Sequence, residues 1–330
     1  MSTFLQNERV RQASFKLAAP YFTEAARSDG LYKGKLRPFC LPQPQADENL
    51  FSGIRREAIT YFAGAGIKWH DGHDSLPSNH LCSSQVCCAN FMFPFADQPD
   101  ALAALLRPLF PSLDHMLPME ASTRYVAFEW IGEKNYLGEK VASDRGRTRG
   151  ANCTSADAAV MFRRSDGQRQ IALIEWKYTE SYTSNPLAIA STGTDRRTIY
   201  QHLFARDDFP VRRDILPGFD ALFYEPFYQL MRQQCLANEM ERARELGADI
   251  VSVLHIAPAH NRDFQNVTSP ALRSLGASAM QVWKRLASLP DRFTSVSTEM
   301  LFAPLLRSDA FPGLRAWREY LSARYDWVVD

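Results

Sequence analysis

Cysteine is scarce in this chain. Six residues, at positions 40, 82, 87, 88, 153 and 235, are spread over 330, and none of them forms a C-x-x-C pair. That excludes a dense disulfide scaffold and makes reduced thiols the expectation. Long apolar runs are lacking too: no stretch has the length and apolarity of a membrane span. The opening segment MSTFLQNERVRQASFKLAAP also has no apolar core of signal-peptide length, so the chain is expected to be cytoplasmic. Neither sign of charge dominates. With 38 Lys+Arg against 37 Asp+Glu the net charge is +1, so any attraction to a polyanion has to come from local clusters. Several common catalytic signatures are missing as well. Gly64-Ala65-Gly66 is too short for a phosphate or dinucleotide loop, and the chain has no G-x-S-x-G elbow and no H-E-x-x-H pair.

What is present is a large apolar complement, 45% hydrophobic and 12% aromatic, enough for one elaborated domain across 1–330. Periodicity predicts helices over 47–63 with Asp47 as cap, over 82–92, over 100–107 closed by Pro108, and over 224–246 with Gly247 as a left-handed cap. Strands are expected at 124–132, in DAAVMF, in IALIEWKY and in DIVSVLHIA. The order is helix, three strands, helix, strand: an α/β core over 80–257 with one mixed sheet, and mainly helical additions over 1–79 and 258–330. His70, His73, His80, Cys82, Cys87 and Cys88 could supply zinc ligands, but their spacing fits no zinc pattern. The segment also reads as a helix of small and apolar residues, so buried thiols are the expectation.

The stretch IALIEWKYTES, 171–181, starts as a buried strand and then places Glu175 and Lys177 on one face, with Ile174, Trp176 and Tyr178 on the other. The partner strand begins at Asp157. If the hairpin turned on Asp166-Gly167 alone, Asp157 would stand opposite Trp176. A three-residue turn, Ser165-Asp166-Gly167 with the glycine left-handed, sets Asp157 opposite Glu175 instead. The second register gathers two carboxylates and an ammonium, an oxygen-rich site suited to Mg²⁺ or Mn²⁺, with Asp157 and Glu175 as metal ligands. Lys177 beside such a metal would position an attacking water or offset charge developing on a phosphate. A structural salt bridge of Lys177 with Asp157 is the alternative reading.

The Asp157…Glu175-Trp176-Lys177 pattern on a strand hairpin resembles the active-site motif of the PD-(D/E)xK nuclease superfamily. The strings NYLGEK, RGANCTSADAA, IEWKYTESY and YEPFYQLMRQQ are also similar to a bacterial group of restriction endonucleases within it. The resemblance implies a restriction-endonuclease-like core and metal-dependent hydrolysis of DNA in restriction or another bacterial defence role, with Asp157, Glu175 and Lys177 as catalytic residues. Ala156 stands where the motif proline usually does. Glu129, Glu139, Gln85 and Gln229 are candidates for an additional acid or polar group. Arg145, Arg147 and Arg149 before Asp157, Arg196 and Arg197 after Lys177, and Arg232 on the long helix are candidates for gripping a phosphate backbone. DNA is the expected partner, with RNA as an alternative substrate and a homodimer or a defence-system protein as candidate assemblies. A nucleic-acid-binding protein of the same fold without catalysis is the competing reading, opposed by the intact Asp, Glu and Lys.

Overall fold

The computed structural model describes residues 3–120, 123–139 and 146–329. Helices α1 (Phe4–Ala18), α2 (Arg55–Gly64), α3 (Ser84–Met92) and α4 (Pro99–Leu106) come first, with a small hairpin of β1 (Gly30–Tyr32) and β2 (Lys35–Arg37) between α1 and α2. Strands β3 (Leu113–Leu117), β4 (Val126–Trp130), β5 (Ala156–Arg164) and β6 (Arg169–Trp176) follow. After them come α5 (Arg197–Phe204), α6 (Phe227–Ala243), β7 (Ile250–Ala257), α7 (Ala279–Leu286), β8 (Phe293–Ser297), α8 (Thr298–Leu306) and α9 (Arg315–Arg324).

The sheet runs β3-β5-β6-β7-β8, and β4 also pairs with β5. β3 and β4 lie end to end along one edge of β5, covering Arg164 to Met161 and Val160 to Ala156 respectively. They act as one interrupted strand. β5 and β6 form an antiparallel hairpin, and β7 runs parallel to β6 after the α5–α6 crossover. This is the mixed α/β core expected from the element order, in the restriction-endonuclease-like arrangement that the resemblance implies, extended by β8 parallel to β7.

The hairpin turn sets the register. Arg164 N–H donates to the Gln168 carbonyl at 2.9 Å, which closes a three-residue turn with Gly167 at φ +85°, a conformation that costs glycine least. Pairing then runs from Arg163↔Arg169 to Ala158↔Ile174, and continuing it puts Asp157 opposite Glu175. Alternation divides the rest. Ala158, Val160, Phe162, Ala172, Ile174 and Trp176 enter a core shared with α3, α4, α8 and α9. Ala159, Met161, Ile171 and Leu173 enter a second core under α5, α6 and α7. Asp157, Glu175 and Lys177 therefore emerge on the α6 side.

Several boundaries differ from the sequence pattern. Residues Gln43–Asn49 form a 3₁₀ helix, so Asp47 caps nothing and instead faces Arg55 at 3.7 Å; the α-helix begins after Ile54. α6 ends at Ala243 because Arg244 turns left-handed at φ 52°, and Gly247 takes the same hand, φ 72°, one short turn later. β3 and β8 were not evident as strands. Each is only five residues long, too short for periodicity to separate strand from loop until a neighbour supplies the hydrogen bonds.

Candidate active site

A cleft of about 440 Å³ opens where the ends of β5 and β6 meet α3, α6 and the segment before β5, and Asp157, Lys177, Glu129, Gln85, Gln229 and Arg232 line it. Asp157 is half-buried at the start of β5 and accepts from the Trp176 N–H at 2.7 Å. That bond joins the two strands where regular pairing stops. Glu175 is 1% exposed. Its Oε1 accepts from Lys177 Nζ at 2.5 Å, while its Oε2 is buried with no hydrogen-bond partner among the described residues. A buried carboxylate oxygen without a donor is costly, and such an atom calls for a ligand or a proton.

The electrostatics agree with that geometry. Burial, and then the charge of Glu175, push the Asp157 carboxyl well above the usual range, against the pull of Lys177. Burial also raises Glu175, although Lys177 works against the shift. Burial opposes the Lys177 ammonium, yet Glu175, Tyr182, Asp157 and Glu180 together hold its pKa well above that of a free lysine. The site thus crowds negative charge into a desolvated corner and holds one permanent cation beside it.

Glu129 belongs to the same corner. Its Oε1 accepts from Gln85 Nε2 at 2.7 Å and its Oε2 from Ser155 Oγ at 2.6 Å, and burial raises its pKa. Its backbone is left-handed, φ 49°, in the middle of β4. A non-glycine residue persists there only when its surroundings demand it. Gly150, at φ +74°, passes so close that a Cβ would lie 2.8 Å from the Lys68 carbonyl and 3.3 Å from the Glu129 carboxyl carbon, so the glycine serves close approach. Glu139 does not line the cleft. Its oxygens are occupied by Thr154 N–H (2.6 Å), Thr154 Oγ1 (2.5 Å) and Tyr200 OH (2.8 Å), with Arg232 Nε at 3.4 Å.

The candidate arginines divide sharply. Arg147 donates to the Ile131 and Gly132 carbonyls at 2.7 and 2.9 Å. Arg149 pairs with Glu120 at 2.6 Å and donates to Tyr61 OH at 3.0 Å. Arg196 donates to the Leu187 carbonyl, and Arg197 pairs with Asp195 and Asp220. These four brace loops, and none of them lines the cleft. Arg145 lies outside the described residues. Arg232 does line the cleft: its Nε donates to Thr154 Oγ1 at 2.8 Å, its guanidinium lies over the Tyr228 ring, and its terminal nitrogens make no hydrogen bond among the described residues.

Sequence reading passed over Gln233. It is 1% exposed, donates to the Ser155 carbonyl at 2.6 Å, and leaves its buried Oε1 unpartnered at the cleft. Its position one helical turn after Gln229 was the available signal. Glu180 also lines the cleft. Glu225 lies near enough for Lys177 to pull its burial-raised pKa down.

Among the described residues no group of three or more His, Cys, Asp or Glu side chains forms a metal cage. Cys82, Cys87 and Cys88 are buried thiols raised by that burial, and buried His80 accepts from the Cys82 N–H at 3.0 Å. Two carboxylates are nonetheless a normal protein share for Mg²⁺, which keeps several waters. The free Glu175 Oε2, the crowded acids and the all-oxygen donor set fit a hard divalent cation.

Residues 15–326 match the family described as restriction endonuclease associating with ARP. The chain belongs to that family. No curated protein and no solved structure matches it. The family is one of restriction endonucleases, and the cleft lies where its restriction-endonuclease-like core brings a strand hairpin and two helices together. Among the described residues, no helix is long and apolar enough to cross a membrane.

Proposed function

We propose that this protein is a Mg²⁺-dependent nuclease that hydrolyses phosphodiester bonds of DNA as an endonuclease in bacterial restriction or defence. The observation that carries the reading is the buried Glu175 Oε2, unpartnered among the described residues, directly behind Asp157 and Lys177, which line the cleft of this family's core. Asp157 and Glu175 are the residues to hold the cation, which when bound supplies Lewis-acid polarisation of the phosphate and a more acidic water. Lys177, fixed by Glu175 at 2.5 Å, orients the water and offsets charge as the new oxygen–phosphorus bond forms and one ester oxygen leaves. Glu129, Gln85 and Gln233 hold water or substrate oxygens at the rim, and Arg232 offers its terminal nitrogens, unpartnered among the described residues, to a phosphate. The family description names an association with ARP. We extend that pairing to this chain, and co-purification of the two proteins checks it.

The test is side-by-side incubation of the purified chain with supercoiled plasmid, single-stranded DNA and RNA, in Mg²⁺ and in EDTA. Plasmid should be nicked and then linearised in Mg²⁺ alone. RNA as the preferred substrate would move the assignment to an RNA nuclease. Absence of metal-dependent cleavage on all three would leave the competing reading, a binding protein of this fold.

A further inference from the structure

A second pocket, about 240 Å³, adjoins the cleft across the first turn of α3. Arg9, Tyr32, His80 and Ser83 line it, and it shares Ser84 and Gln85 with the cleft. Among the described residues, Arg9, on the inner side of α1, has a buried Nε with no hydrogen-bond partner and forms no salt bridge. Its guanidinium lies 4.7 Å over the Phe39 ring. A guanidinium partly removed from water and left without a counter-ion costs stability unless an anion completes it. Two acids also stand in the pocket wall, each held in place by a neutral donor: Asp71 accepts from Tyr32 OH at 3.0 Å and Glu180 from the Tyr178 N–H at 2.6 Å. Neither forms an ion pair with Arg9 among the described residues.

One further feature favours an anion. α3 starts at this wall with Ser83 as its cap, so the positive end of the helix faces the shared residues. Burial, and then the charge of Arg9, lower His80 to about 4, and its ring stands edge-on to Tyr32 at 4.8 Å, which leaves Arg9 as the cation of this wall. A nucleotide strand lying in the cleft and crossing Ser84 and Gln85 would reach Arg9 next.

We propose that this pocket is a second phosphate seat, in which Arg9 receives a backbone phosphate flanking the scissile one on the same DNA strand. The proposal rests on the nuclease reading above. It makes the N-terminal helix, remote in sequence from the Asp157–Lys177 hairpin, part of the substrate track.

The test measures binding of labelled duplex and single-stranded oligonucleotides to the full chain in EDTA, with Arg9→Gln and Arg9→Lys beside the parent. Arg9→Gln should weaken binding about tenfold, and the slope of log affinity against log salt should flatten by roughly 0.9 on duplex or 0.7 on single strand, one phosphate's worth. Arg9→Lys should keep the slope. Replacing backbone phosphates one at a time with uncharged methylphosphonates should penalise the parent at one position beside the cleavage point, and Arg9→Gln should be indifferent there. Equal affinity and slope in Arg9→Gln, with cleavage by the parent in Mg²⁺, would remove the seat and leave the nuclease reading standing. An Arg9-dependent slope in a parent that cuts nothing would do the reverse. A parent that binds no DNA would sink both. Loss of inorganic phosphate binding alone in Arg9→Gln would assign the pocket to a free anion and overturn the backbone seat. Should Arg9→Gln fail to fold by circular dichroism, the methylphosphonate series on the parent decides, and a flat profile overturns the proposal.

Discussion

The β5–β6 hairpin carries charge at both ends, and the two ends behave in opposite ways. At the turn, Arg164 pairs with exposed Asp166 at 3.0 Å, and that hydrogen bond lowers the aspartate's pKa. At the cleft, Asp157 sits on the same strand within reach of Lys177, yet burial and Glu175 raise its pKa. Residue type is the same; solvent is not. In water an ion pair gains little because each charge is already solvated. In the cleft the carboxylates have lost that solvation and one lysine does not repay it. Tertiary burial, supplied by α3 and α6, is what turns an ordinary charged hairpin end into a corner of crowded, desolvated carboxyl groups.

The largest expected effect breaks the cleft end. Lys177→Met should lower Mg²⁺-dependent cleavage by at least about 10²-fold while DNA binding in EDTA stays near that of the parent. Wild-type cleavage rates in this variant would end the catalytic assignment.

Next comes the metal. Asp157→Asn should abolish Mg²⁺-induced stabilisation, seen as a Tm that no longer rises with added Mg²⁺. The same substitution should raise the metal-free Tm at pH 8, because a repelled carboxylate is removed. With Asp157, Glu175 and Glu129 all raised in the folded state, these three groups bind more protons folded than unfolded, and their contribution to metal-free stability falls as pH rises above the unfolded carboxylate range, near 4. Buried His80 and His255, both lowered, contribute with the opposite sign up to the range of a free imidazole, so the reading is the difference between variant and parent: the metal-free Tm advantage of Asp157→Asn should widen from pH 5 to pH 8. An advantage that narrows over that range would contradict this.

A smaller effect separates the two glutamates that sequence offered as equals. Glu139→Gln should cost about 2 kcal/mol in urea unfolding, since it weakens charge-assisted bonds to Thr154, Tyr200 and Arg232. Glu129→Gln should leave stability close to the parent's and lower cleavage instead. At the bottom of the scale, Asp166→Asn at the turn should leave both Tm and cleavage unchanged within error. A measurable loss there would erase the contrast between the hairpin ends.

Much of this molecule was legible in its sequence. Alternation in DAAVMF and IALIEWKY specifies two strands with one charged face, and Gly167 narrows the hairpin to two turns, of which the three-residue one that forms sets Asp157 opposite Glu175. Both are local, since side-chain period and φ preference act within a few residues. Tertiary structure decided the rest. Nothing local distinguishes Glu129 from Glu139, or Arg147 and Arg149 from Arg232. Each was a charged residue near the motif, and its fate depended on which backbone carbonyl or hydroxyl the fold brought within hydrogen-bond distance. The same holds for Gln233 and Arg9, whose unpartnered atoms exist only because distant segments close around them. Desolvation is a property of the assembled core, and it is desolvation that separates a residue serving the fold from one left open to a ligand.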